Sequence, residues 1–100
     1  EAKEKGNTAF KGGKYKDAVE SYSEGINQDP LNRNIVAAMY ANRAAARMKL
    51  KDFEEALTDC NEAINLNGSY AKAYLRKGEI NMELKNFDEA KVDFNKAHQL

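Results

Sequence analysis

Five side chains in this sequence have the types and spacing to hold an anion: Lys3, Asn7, Asn42, Lys72 and Arg76. Lys3 and Asn7 stand four apart, as do Lys72 and Arg76, so each pair shares one face if its segment is helical. Asn42 falls 34 places before Arg76. Lysine and arginine supply charge and donors, while asparagine amides bind an anion without adding net charge. Brought into one trough, these groups would form a receptor for carboxylates.

The elements that must position them follow from a repeat. Residues 40–66 return, shifted by 34 places, as residues 74–100, with Tyr40/Tyr74, Phe53/Phe87, Ala56/Ala90, Asp59/Asp93 and Ala63/Ala97 in register. A period of this size marks a helical array, whose use is binding rather than catalysis. Helical spacings such as Phe53, Ala56, Leu57, Cys60, Ala63 and Ile64 recur, and strand alternation never persists. The breaks predict six helices in three hairpins: about Ala2 to Lys11 with Tyr15 to Gln28, Asn34 to Leu50 with Phe53 to Asn65, and Tyr70 to Leu84 with Phe87 to the chain end. Gly12-Gly13 forms the first turn and Asp29-Pro30 the first stop. Gly68 suits a left-handed helix stop and Ser69 an N-cap. Tyr15, Ala18, Tyr22 and Ile26 precede Phe53, Ala56, Cys60 and Ile64 by 38, not 34. The extra four residues fall after Pro30, as a longer loop or as an added turn on the third helix.

These hairpins resemble tetratricopeptide repeats. Gly6, Ala18, Tyr22, Gly25 and Pro30 occupy the signature sites of the first, Ala44, Ala56, Cys60 and Ala63 those of the second, and Gly78, Ala90, Phe94 and Ala97 those of the third. Small residues let helices approach and aromatics fill the gaps. Three departures stand out: tryptophan is absent, Gly68 replaces the second repeat's terminal proline, and Cys60 replaces an aromatic. The resemblance implies an all-α fold of three stacked hairpins, a right-handed α-solenoid whose first helices line a concave peptide groove. One domain would cover 1–100, with repeats at about 1–32, 33–69 and 70–100 and without a C-terminal capping helix.

The five residues also match, place for place, the dicarboxylate clamp of tetratricopeptide co-chaperones, in Lys3-Glu4-Lys5-Gly6-Asn7, Tyr40-Ala41-Asn42-Arg43 and Lys72-Ala73-Tyr74-Leu75-Arg76. That resemblance implies a grip on the C-terminal Glu-Glu-Val-Asp tail of 70-kDa and 90-kDa heat-shock chaperones. Lys3, Asn7, Asn42 and Lys72 would hold the two carboxylates of the terminal Asp, and Arg76 an upstream acidic or main-chain group. Phe10, Ala45 and Met48 are candidates to receive the tail's valine, though each also suits the core. Glu79 and Glu83, near the same wall, would reject tails acidic further upstream. The combination further resembles repeat modules of J-domain co-chaperones and of chaperone-organising proteins.

Charge agrees with such a groove. Sixteen basic and sixteen acidic side chains cancel, so no global field draws the chain to nucleic acid or a membrane. Locally, Arg33, Arg43, Arg47, Lys49 and Lys51 crowd the third helix and its flanks without an acid, while Glu54, Glu55, Asp59 and Glu62 crowd the fourth without a base. This pattern fits a basic inner wall with an acidic back, which would favour an anionic ligand, and equally opposite charges alternating around a solvated solenoid. A single cysteine, Cys60, fits a reducing compartment, cytoplasmic or nuclear. Neither it nor His98 has partners at metal-ligand spacing, so no metal, cofactor or enzymatic site is expected. The five tyrosines follow the repeat's core positions rather than a base-stacking platform, and Gly12-Gly13 lacks the lysine-serine ending of a phosphate loop. A scaffold for a different peptide and the targeting module of a larger enzyme remain the alternatives. Val92, Phe94, Ala97 and Leu100 are expected to be only partly covered, leaving that end to pack on a second copy or on a further helix.

Overall fold

Alanine and glycine decide how the helices approach one another. In the computed structural model, which describes residues 2–28 and 30–100, the helices are α1 (Ala2–Lys11), α2 (Tyr15–Gln28), α3 (Arg33–Lys49), α4 (Phe53–Leu66), α5 (Ala71–Glu83) and α6 (Phe87–Gln99). No strand occurs among the described residues. Each odd-numbered helix pairs with the one after it, and α2 on α3 and α4 on α5 join successive hairpins. The fold is thus the expected all-α stack. No helix is long and apolar enough to cross a membrane.

Three alanine-rich clusters fill the junctions. Ala18 and Tyr22 meet Met39 and Ala46 between α2 and α3, and Ala37 and Ala41 meet Ala63 and Ala73 among α3, α4 and α5. Ala44, Ala56, Cys60 and Ile80 form the third. Within each hairpin one contact is tuned by volume. A Cβ on Gly6 would lie 2.5 Å from the Tyr22 ring, and one on Gly78 would lie 2.6 Å from Phe94. In the middle hairpin the glycine has become Ala44 and the ring Cys60, so a methyl gained on one helix matches the bulk lost on the other.

The four additional residues resolve as a turn of helix. α3 starts at Arg33, four residues earlier than the position matching Ala71 of α5, and Asn32 caps it by accepting from the Ile35 N–H at 3.3 Å. Asn34 is thus inside the helix, one residue past the start. The Asp29 part of the predicted stop lies outside the described residues; Pro30 is in the turn. At the other connection the glycine stop is overturned. Gly68 is not among the positive-φ residues, and α4 ends instead on Asn67, whose Oδ1 accepts from the Ser69 N–H at 3.2 Å. Ser69 does not cap α5, because the capping position falls on Tyr70.

Left-handed backbone occurs inside the hairpins, at Gly13 (φ 78°), Lys51 (φ 65°) and Lys85 (φ 64°), one equivalent position in all three repeats. Each is followed by an N–H that reaches back five residues: Lys14 to Ala9, Asp52 to Arg47, Asn86 to Asn81, all at 2.8 Å. That closure satisfies carbonyls at the helix end and offsets the steric cost a lysine meets at positive φ. At the far end of the stack, Val92 is 67% exposed and Leu100 49%, with Phe94 and Ala97 half-buried, as the repeat pattern leads one to expect.

Candidate functional site

Each of the five candidate residues lies on the first helix of its hairpin: Lys3 and Asn7 on α1, Asn42 on α3, Lys72 and Arg76 on α5. Asn42 and Arg76 occupy matching positions on α3 and α5, which pack directly on each other. Lys3 and Lys72 are exposed, and Asn7, Asn42 and Arg76 are half-buried.

What these side chains bond to within the chain matters more than where they lie. The Tyr22 hydroxyl donates to Asn7 Oδ1 at 2.5 Å. This contact fixes the orientation of the amide and leaves its Nδ2 donors without a partner among the described residues. Asn42 makes no side-chain hydrogen bond among the described residues, and Lys3 and Lys72 make no ion pair there. Arg76 donates through Nη1 to Glu79 Oε1 at 3.1 Å, while its Nε is buried without a partner. An orphaned donor of this kind costs about 1–3 kcal/mol of folding free energy. Such a cost is tolerated where a ligand supplies the missing acceptor.

Two other arginines are turned to an internal acid, and they change the expected charge layering. Arg43 grips Asp59 of α4 with both edge donors, Nε to Oδ2 at 3.0 Å and Nη2 to Oδ1 at 2.7 Å, and its Nη1 donates to Ser23 Oγ of α2 at 3.0 Å. Arg47 adds Nη1 to Oδ2 of the same carboxylate at 2.9 Å. Asp59 is 1% exposed. Two of the five cations, Arg43 and Arg47, therefore neutralise a buried acid of α4 instead of adding to a basic wall, while Glu54, Glu55 and Glu62 stay exposed. Arg43 also stacks 5.2 Å from the Tyr40 ring. A weaker version recurs one repeat on, where Asn81 Nδ2 donates to Asp93 Oδ2 at 2.7 Å and Lys77 Nζ lies 3.8 Å from Oδ1. Sequence reading passed over this network, although Asp59/Asp93 and Arg43/Lys77 both recur at the repeat period.

The apolar candidates serve the core first. Phe10 packs edge-on against Tyr15, with ring centroids 5.3 Å apart, and borders the Tyr22–Met39 cluster. Met48 borders the Cys60–Ile80 cluster. Ala45, at 6% exposure, keeps almost no face for a ligand. Phe10 and Met48, both half-buried, retain one. Glu79 is not a free repelling charge but the partner of Arg76.

Other reactive groups are quiet. Burial, with the Asp59 charge second, pushes the Cys60 thiol up to about 12, so it is a small hydrophobe at neutral pH. Burial raises the Tyr22 and Tyr70 hydroxyls as well. His98 is exposed. Among the described residues no three His, Cys, Asp or Glu side chains gather as a metal site. A cleft of about 600 Å³ between α1 and α2 is lined by Lys5, Lys14, Asp17, Glu20 and Glu24, whose mixed charges favour no one ligand.

Stacked helical hairpins with uncommitted donors on their first helices define an α-solenoid of the binding type. Residues 37–70 and 71–100 each match the tetratricopeptide repeat. The chain belongs to the tetratricopeptide-repeat family. It is 52% identical over 75 residues to RNA polymerase II-associated protein 3 of Xenopus laevis, a match covering 75% of this chain and 11% of that protein. The chain thus spans only about a tenth of that curated relative. Among solved structures it is similar to the second TPR of Spaghetti (RPAP3) bound to the HSP90 peptide SRMEEVD, with TM-score 0.89 and 44% identity, covering 99% of this chain and 88% of that one. The second TPR domain of human RPAP3 in complex with the HSP70 peptide SGPTIEEVD matches with TM-score 0.85 and 45% identity over 96% of this chain and 77% of that one.

Proposed function

We propose that the three hairpins act as one adaptor domain, without catalysis of its own, that binds the C-terminal Glu-Glu-Val-Asp tails of 70-kDa and 90-kDa heat-shock chaperones in the cytoplasm or nucleus. The observation that carries this reading is the contrast in donors. Arg43 spends all three guanidinium nitrogens on Asp59 and Ser23 and Arg47 gives one to Asp59, whereas Asn7 Nδ2, the Asn42 amide, both lysines and Arg76 Nε have no intramolecular partner among the described residues. Lys3, Asn7, Asn42 and Lys72 would hold the terminal carboxylates, and Arg76 an upstream acid or carbonyl. Support comes from relatives at 44% and 45% identity that hold peptides ending in this tail. Phe10 and Met48 offer their exposed edges to the tail's apolar residue.

Each charge-assisted hydrogen bond contributes about 1.5–3 kcal/mol, but ordering a flexible tail offsets much of the sum. The expected net is about −8 kcal/mol, a micromolar complex. Salt should weaken it, since Lys3 and Lys72 are exposed. Fluorescence polarisation with the peptide Ser-Arg-Met-Glu-Glu-Val-Asp, as free acid and as C-terminal amide, tests the reading. The amide is expected to bind at least about tenfold more weakly, the loss of one charge-assisted contact; equal affinities would sink the clamp.

A further inference from the structure

We infer that Glu79 is a positioning residue for the anion site: it ties down one corner of the Arg76 guanidinium so that the Nε–Nη2 edge is held without an intramolecular partner, for a carboxylate to meet. The inference rests on the carboxylate-clamp reading and deepens it. Three observations lead there. Glu79, one turn beyond Arg76 on α5, accepts from Nη1 and from no other guanidinium nitrogen. Arg76 Nε is buried without a partner among the described residues. Finally, Arg43 shows within this molecule what an unencumbered Nε–Nη2 edge does, since it holds both oxygens of Asp59 at 3.0 and 2.7 Å. The guanidinium is planar and rigid, so fixing Nη1 fixes the direction of the opposite edge. Lys72, four residues earlier on the same helical face, adds charge beside it.

A carboxylate so close to an anion site has an opposing reading, in which Glu79 competes with the ligand for Arg76 and repels it. The two differ in what the oxygen and the charge each do. Glutamine at position 79 keeps an acceptor for Nη1 and removes the charge, whereas alanine removes both. Positioning predicts that Glu79→Gln binds as tightly as the parent or tighter, and that Glu79→Ala binds about threefold or more weakly than Glu79→Gln, within the range of coupling between contacting side chains. Repulsion predicts that both variants tighten equally.

The experiment titrates the parent chain, Glu79→Gln and Glu79→Ala with Ser-Arg-Met-Glu-Glu-Val-Asp in free-acid and amidated forms, then repeats the pair in an Arg76→Lys background. Lysine has no planar fork to orient, so there the alanine and glutamine variants should bind alike. Helical circular-dichroism melts, expected to be nearly superimposable because the Glu79 side chain is 38% exposed, show that folding is not what changes. Equal affinities of Glu79→Ala and Glu79→Gln, or a difference that persists in the Arg76→Lys background, overturn the positioning role while leaving the clamp standing. Equal binding of acid and amide by the parent chain would instead remove the clamp itself.

Discussion

Arg43 and Arg76 sit on the first helices of successive hairpins, and the chain treats them oppositely. Arg43 gives three guanidinium nitrogens to Asp59 and Ser23, bolting α3 to α4 and to α2. Arg76 gives one nitrogen to a half-exposed neighbour on its own helix and leaves another buried and unpaired. One arginine completes the fold; the other keeps a donor that the fold does not use. A helical repeat can hold both because position along the helix, not residue type, decides whether a side chain reaches its hairpin partner or the open face.

The sharpest way to break this contrast is to remove the acid. Asp59→Ala strands two guanidinium groups that are only 16% and 22% exposed. A loss of about 3 kcal/mol is expected, the low end for breaking a buried pair because both arginines can swing toward water. Urea unfolding followed by circular dichroism measures it. A loss below about 1 kcal/mol would place the pair among surface ion pairs and erase the difference from Arg76.

The opposite pattern is expected on α5. Arg76→Ala and Lys72→Ala should leave the unfolding midpoint nearly unchanged, since Lys72 makes no ion pair among the described residues and deleting Arg76 also deletes an unpaired donor. Peptide affinity should fall at least about tenfold, one charge-assisted contact's worth. Isothermal titration beside a thermal melt separates the two effects. A large stability loss with unaltered binding would make Arg76 a second Arg43.

Much of this was legible from sequence, and the misses share a cause. Periodicity gave six helices to within a residue or two, and the 38-residue offset put four extra residues after Pro30 without deciding between a loop and the turn of α3 that they form. Gly–aromatic pairing was legible as a signature, and the compensation at Ala44 and Cys60 follows once Gly6–Tyr22 and Gly78–Phe94 are seen in contact. Gly68 misled because glycine permits a left-handed stop without requiring one; the left-handed positions lie inside the hairpins, at Gly13, Lys51 and Lys85, two of them not glycine. Arg43 and Arg47 dropped out of the basic wall for a related reason. Charge counts along a helix do not say which face each cation takes, and Arg43 and Arg47, four apart, share the face toward Asp59. The five candidate donors could be picked out because Lys3 with Asn7 and Lys72 with Arg76 are spaced to share a face, and Asn42 falls one repeat before Arg76. Glu79 was noticed, but its bond to Arg76 was not, since an i,i+3 pair is equally compatible with two solvated side chains.

The smallest expected effect probes the same contrast between adjacent repeats. Lys77 occupies Arg43's position one repeat later, yet its Nζ stays 3.8 Å from Asp93, whose other oxygen is held by Asn81. A point charge at that range, 28% exposed, contributes little, and Lys77→Ala should cost under about 1 kcal/mol. Lys77→Arg should do the reverse. A planar fork there can place Nε and Nη2 on Asp93 as Arg43 does on Asp59, stabilising by about 0.5–1 kcal/mol, the net yield of one well-formed hydrogen bond. Paired urea curves for the two variants give the measurement, with peptide affinity as the control, expected to stay constant because Asp93 belongs to α6. If Lys77→Arg leaves the midpoint where it was, two-point geometry is not what distinguishes the hairpins, and burial of the acid, at 1% for Asp59 against 5% for Asp93, becomes the better account.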